Sequence, residues 1–177
     1  INQKNNEKIL NPVWHIHNGS PPKEKIVMPF SMLLNIVGSS NAKNKKVLWK
    51  FIQKFHSEID PKNHKILDEL TGYALNYFID RVEPKKKFKK PNDKERDALN
   101  NLIEILKSVP QKTPAEQIQT LIYTAGKNNG YADKLRDWFK LIYEVTFGEE
   151  NGPRMGFFIS FFGLKETIDL IKKKLKI

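Results

Sequence analysis

The sequence predicts an all-α fold of about eight helices behind an extended N-terminal linker. Three observations carry this. Apolar residues recur at i, i+3, i+4 and i+7 along most of the 177 residues, and no segment alternates with period two for long. Caps and breakers punctuate those runs at helix-length intervals. The gaps between runs are short, roughly 3–8 residues, as expected for antiparallel neighbours in a bundle. No internal repeat is present, which argues against a solenoid.

Residues 1–25 are read as the linker and 26–177 as the helical domain. The linker carries the breakers Asn11-Pro12, Asn18-Gly19 and Pro21-Pro22, and Val13, Trp14 and Ile16 are expected to pack it down. His15 and His17 would share a face on an extended chain. No third ligand lies nearby, so ordinary polar or packed histidines outweigh a metal site, and none is predicted.

The first helix runs from Pro29 through Phe30, Leu33, Leu34 and Val37, with Gly38 as its expected stop. Asn44 can cap a second, with Val47, Leu48, Phe51, Ile52 and Phe55 inside. Asp60-Pro61 is expected to open a third that ends by Glu83, ahead of Pro84. Asn92 and Glu95 have capping-box spacing before Leu99, Leu102, Ile103 and Leu106. Thr113-Pro114-Ala115-Glu116 reads as the cap of a fifth helix, with Gly126 as its terminator. The sixth is expected over about Ala132 to Phe147, with Gly148 in the left-handed conformation after it. Pro153 fits the first turn of a seventh, which places Phe157, Phe158, Phe161 and Phe162 at helical spacing. Gly163 separates it from a last helix that ends in Lys172, Lys173, Lys174 and Lys176, where the helix dipole favours cations. Four phenylalanines so placed must mostly be buried, so the C-terminus is expected in the middle of the fold.

Composition narrows the function. The chain has no cysteine, which rules out disulfides, thiolate metal sites and a thiol nucleophile and fits a reducing cytosol. No apolar run is long enough to span a membrane, and the polar start does not read as a signal peptide. A start at Ile1 suggests a fragment or a processed chain. The net charge is +11, with a pI near 9.7, a balance that favours a polyanionic partner or simply reflects an AT-rich genome. Catalytic motifs are missing. There is no nucleophile elbow, no phosphate-cradling glycine loop and no His-Glu-x-x-His, so no catalytic residue is assigned.

Binding signals are stronger. Between Pro84 and Pro91, Lys85, Lys86, Lys87, Lys89 and Lys90 surround Phe88. Lysines neutralise phosphates, and an exposed ring stacks on a splayed base. The alternative is a solvated loop that Phe88 anchors to the core. Arg154, after Gly152-Pro153 at a helix start, suits an anion or a base edge, or else pairs with Glu149 or Glu150. Trp49, Trp138 and Tyr73 lie on or beside apolar faces and are read as core.

Gly148-x-x-x-Gly152-Pro153-Arg154, the aromatic helix Met155 to Phe162, Gly163 and the short basic helix resemble the C-terminal end of the class I lysyl-tRNA synthetases. So do three other blocks, in order: Asn11 to His17 with the Asn-Gly-Ser-Pro-Pro that follows, Pro29 to Ala42, and Leu135 to Gly148 with its Arg136-Asp137-Trp138-Phe139. The family's two catalytic motifs, one like His-Ile-Gly-His and a Lys-Met-Ser-Lys-Ser loop, are missing. The resemblance therefore implies the anticodon-binding region of such an enzyme, a helical cage for the anticodon stem-loop of lysine tRNA. A missing N-terminal half would attach lysine using ATP. This chain is expected to need no cofactor and no membrane and to work in the cytoplasm, with its oligomeric state left open between a monomer and an assembly; lacking the two catalytic motifs, it alone is expected not to activate lysine. Related glutamyl-tRNA synthetases commonly show an Arg before a Val-x-x-x-Gly run, where this chain has Glu144 before Val145-Thr146-Phe147-Gly148. A glutamate there could accept the N3–H of uracil, or merely pair with Lys140. The implied binding residues are Lys85, Lys86, Lys87, Phe88, Lys89, Glu144, Gly152, Pro153 and Arg154. Two other classes stay open: a helical protein-interaction adaptor, and a general RNA- or DNA-binding module.

Overall fold

The computed structural model describes residues 10, 12–16, 18–20, 27–40 and 42–176. Among these, all regular structure is helical. The order is α1 (Pro12–Ile16), α2 (Phe30–Ser40), α3 (Lys45–Phe55), α4 (Lys65–Tyr77), α5 (Asp93–Lys107), α6 (Ala115–Gly126), α7 (Leu135–Thr146), α8 (Met155–Phe162) and α9 (Leu164–Leu175). The all-α expectation holds.

The N-terminal expectation needs correcting where it can be compared. Pro12–Ile16 is one turn of helix, closed by Asn18 N–H to the His15 carbonyl at 3.0 Å and Gly19 N–H to the Trp14 carbonyl at 2.8 Å. Ile16 is 74% exposed and packs nothing. Residues 1–9, 11 and 21–26 and the side chain of Val13 lie outside the described residues, as does His17 and with it the two-histidine expectation.

α8 is the centre. Met155, Phe158, Ile159, Phe161 and Phe162 are buried, and only Phe157 of the four phenylalanines is partly open. Burying each such side chain is worth about 1.5–3 kcal/mol relative to exposure. α8 packs along α6 and also meets α3 and α9, while α9 packs on α5 and α7. α2, α3 and α4 form a second group. The Phe51 and Phe162 rings, 4.9 Å apart, join α3 to α8, and Lys54 pairs with Glu166 at 2.5 Å above them.

The caps follow local chemistry where a side chain is free to bond. Asn44 accepts from Val47 N–H at 3.0 Å, and Asn92 and Glu95 close the full capping box. Elsewhere the expected starts and stops shift. Asp60 Oδ1 accepts from the N–H groups of Lys62 and Asn63 at 2.8 and 3.0 Å, so the chain turns there and α4 starts only at Lys65. Thr113 does not cap α6, and Pro153 precedes α8 without entering it. Gly38 and Gly126 lie inside or at the last residue of their helices rather than stopping them. A Cβ on Gly38 would sit 2.7 Å from Phe78, and one on Gly126 2.5 Å from Trp138. Both mark close approaches. Val47 and Tyr73, expected inside, are 45% and 63% exposed. Trp49 and Trp138 are buried as expected, donating to Asp68 Oδ1 at 2.8 Å and to the Ile122 carbonyl at 2.9 Å.

Candidate nucleic-acid interface

The basic loop and the C-terminal hairpin, far apart in sequence, lie side by side. α7 ends when Gly148 takes φ +71°, its N–H returning to the Tyr143 carbonyl at 3.1 Å. This turns the Glu144 and Gly148 carbonyls toward the loop. Lys87 N–H donates to Gly148 O at 3.0 Å and Lys89 N–H to Glu144 O at 3.1 Å. The loop thus pairs with the helix end through alternate residues, as a strand would. A Cβ on Gly148 would come within 3.2 Å of Lys87 N, so the seam needs a glycine there in both conformation and space.

An extended backbone sends successive side chains to opposite sides. The five lysines therefore do not act as one patch. Lys85 and Lys87 face a cleft of about 590 Å³ whose other wall is Glu144, Gly148, Glu149, Glu150 and Asn151. Lys86 and Phe88 face a different cavity on the far side. The Lys86 side chain is only 9% exposed, and burial pushes its ammonium below the usual lysine range. Lys89 bonds Glu95 at 2.7 Å, which raises its pKa. Phe88 is 48% exposed but lies against Gly148, with the Lys174 ammonium 3.2 Å from its ring centroid, so its ring is partly covered. Among the described residues Lys85, Lys87 and Lys90 make no ion pair.

Glu144 stands at the cleft wall. Its carboxylate is 3.7 Å from Lys140 and 3.8 Å from Lys89, too far for a hydrogen bond. Each lysine has a nearer partner, Lys140 with Glu150 at 3.1 Å and Lys89 with Glu95. The helix pair expected to occupy Glu144 is therefore loose, and its oxygens retain acceptor capacity. Arg154 pairs with neither Glu149 nor Glu150; it reaches Glu116 at the start of α6 at 2.9 Å, in an exposed contact. Gly152 and Pro153 clamp Tyr143. A Cβ on Gly152 would lie 2.5 Å from Tyr143 Cδ1, and the Tyr143 hydroxyl donates to Pro153 O at 2.9 Å. These two residues shape the hairpin, and Arg154 projects beyond it.

Tyr143 makes that clamp measurable. Burial, then the neighbouring Tyr123, pushes its phenol up to about 12. An unfolded tyrosine ionises near pH 10, so above that pH the unfolded chain loses its proton first. The stability that Tyr143 contributes is thus full below about pH 10 and lost as pH rises toward 12. The stability difference between wild type and Tyr143→Phe in urea unfolding should shrink over that window. Parallel curves would show that the clamp does not hold the phenol neutral.

Comparison with curated proteins settles the kinship. The lysine–tRNA ligase of Roseobacter denitrificans is 41% identical over 165 residues, 93% of this chain and 31% of that protein. The one from Rickettsia bellii is 38% identical over 176 residues, 99% of this chain and 34% of that protein, and the one from Rickettsia felis 38% over 170. The chain is a homologue of one part of the lysine–tRNA ligases. It spans about a third of the length of the curated relatives it matches. No family model and no solved structure matches it.

Sequence reasoning missed Asn151 and Lys174, which line the two cavities, and Tyr143, which the hairpin clamps beside them. Tyr143 looks like one more apolar-face residue of α7, four positions after Phe139. Lys174 was readable only as a helix-end cation. Its contact with Phe88 exists because α9 folds back against the loop. No helix among the described residues is long and apolar enough to cross a membrane, and none of their His, Asp and Glu side chains cluster as a metal site.

Proposed function

We propose that this chain is the anticodon-binding part of a class I lysine–tRNA ligase, acting in the cytoplasm on lysine tRNA. ATP and lysine are handled by the portion of the enzyme outside it, and the chain itself carries no cofactor. The observation that supports this reading most is the seam between loop and hairpin. It sets two cations that make no ion pair among the described residues, Lys85 and Lys87, across one cleft from an underused acceptor, Glu144. Single-stranded RNA loops are recognised in that way, phosphates by lysines and splayed bases by side-chain and backbone groups. The 36–41% identity to lysine–tRNA ligases supports the choice of RNA over a protein-interaction adaptor.

The test is binding of the lysine-tRNA anticodon stem-loop as a function of salt. Lys85→Ala/Lys87→Ala should weaken binding and flatten the log–log salt dependence by about 0.7–0.9 per lost phosphate contact. Lys89→Ala should change the slope less, because Glu95 already neutralises it. An unchanged slope in the double variant would remove this cleft from the RNA path.

A further inference from the structure

The cavity on the far side of the loop has a different character. It is about 580 Å³ and lies between the C-terminal turn of α2, the loop and α9. Lys43, Lys86, Lys173 and Lys174 line it, and the ammonium groups of two of them lie over ring faces. Lys86 Nζ sits over the Phe78 ring, 4.8 Å from the centroid, and Lys174 Nζ sits over Phe88 at 3.2 Å. A ring face occupies at most one of an ammonium's three N–H donors. Among the described residues neither group donates a hydrogen bond. Glu149 is 4.0 Å from Lys86, Glu83 also attracts it at longer range, and Lys174 has no ion pair among the described residues. Three carboxylates line the space. Glu166 is taken by Lys54 at 2.5 Å, and Glu83 and Asp169 are exposed and within ion-pair distance of neither ammonium. The Ser40 hydroxyl, on the same wall, is buried and without a hydrogen-bond partner among the described residues. Gly38 completes the arrangement, since a Cβ there would lie 2.8 Å from Lys86 Nζ.

Cations are normally buried only with a partner, because desolvating an unpaired ammonium is costly. Here burial depresses both lysines, and their mutual repulsion adds to it at Lys174. A doubly oxygenated anion between them would supply the missing acceptors and remove the repulsion at once. We infer that this cavity is a second anion site, in which Lys86, Lys174 and the Ser40 hydroxyl hold one phosphoryl group. Its volume is ample for a phosphate that carries a sugar. The phosphoryl group has two possible sources, free inorganic phosphate or a backbone phosphate of RNA lying over the loop. The RNA source rests on the function proposed above.

The test follows the ε-methylene resonances of isotopically labelled lysines in the whole chain. One arm titrates inorganic phosphate against chloride at constant ionic strength. The other adds the anticodon stem-loop. Lys86 and Lys174 should shift saturably with phosphate, ahead of Lys85 and Lys87. Lys86→Met, which keeps an apolar stem on Phe78, should cut phosphate affinity about tenfold or more, as losing a charged hydrogen bond does. Lys174→Met is the independent second variant. If RNA moves the same two resonances and phosphate reverses the effect, the backbone is the source. If phosphate moves them and RNA binds without doing so, the site takes a free anion and the RNA source is rejected. If phosphate saturates the site while RNA binds nowhere, the anion site stands and the tRNA reading fails. If neither ligand moves Lys86 or Lys174 while RNA still shifts Lys85 and Lys87, the anion site is overturned and the cleft reading survives.

Discussion

Trp138→Ala should cost the fold about 3–5 kcal/mol, the range for deleting a fully buried aromatic side chain. Small domains are stable by only about 5–15 kcal/mol, so a large part of the margin goes with one residue. Trp138 is completely buried, and its indole donates to the Ile122 carbonyl at 2.9 Å. It ties α7 to α6, and α7 carries Glu144 at the cleft and Tyr143 under the hairpin. Gly126 is the matching recess. A Cβ there would stand 2.5 Å from Trp138 Cδ1 and 2.7 Å from Cγ. Gly126→Ala alone should therefore destabilise by about 1–3 kcal/mol through overpacking. In the double variant the new methyl enters space the indole has left. The two penalties should fall short of additivity, by about 0.5–3 kcal/mol as for other residues in contact. Urea unfolding of the four proteins, compared at constant m, measures this. A strictly additive double variant would show that Gly126 does not exist to seat the indole.

The same pair shows where sequence reading stops. Helix periodicity, the Asn92–Glu95 capping box and the aromatic α8 are local signals, and each appears as the pattern predicts. A glycine is ambiguous to such reading. Gly148 and Gly163 have positive φ, as helix-ending glycines do, whereas Gly38 and Gly126 have helical surroundings and are small because a ring from elsewhere occupies the space. The ring partners come from α7 and from the turn after α4, which no window around the glycine contains. The lysine loop was found for its charge, but its sidedness was not legible. Splitting Lys85 and Lys87 from Lys86 and Phe88 needs a 3-10 turn that ends at Lys85 and an extended backbone from Lys86 onward. Knowing what each face meets needs the C-terminal hairpin on one side and α2 and α9 on the other.

On the function proposed above, Glu144 is the residue expected to set specificity. Glu144→Gln should leave the fold nearly intact, since loose and partly exposed ion pairs contribute about 0–1 kcal/mol. It should nevertheless narrow the affinity gap between anticodon stem-loops carrying uridine and cytidine. The reasoning is electronic. Uracil presents an N3–H donor flanked by carbonyl acceptors, and an ionised carboxylate accepts from that donor with a charge-assisted bond roughly twice as strong as a neutral one. Cytosine has an unprotonated N3 and meets the same carboxylate lone pair to lone pair. Lys89 and Lys140 stand 3.8 and 3.7 Å from Glu144 and bond other carboxylates more closely, which leaves its oxygens free to accept. Lys85 and Lys87 stand across the same cleft, where the proposed function has them meet the adjoining phosphates. The lost discrimination should be about 1–3 kcal/mol, measured at fixed salt so that the phosphate contribution cancels. If the variant and wild type discriminate equally while both bind, Glu144 is only a brace for the two lysines. Base reading then passes to Arg154, whose exposed bond to Glu116 leaves its guanidinium accessible beside the same hairpin.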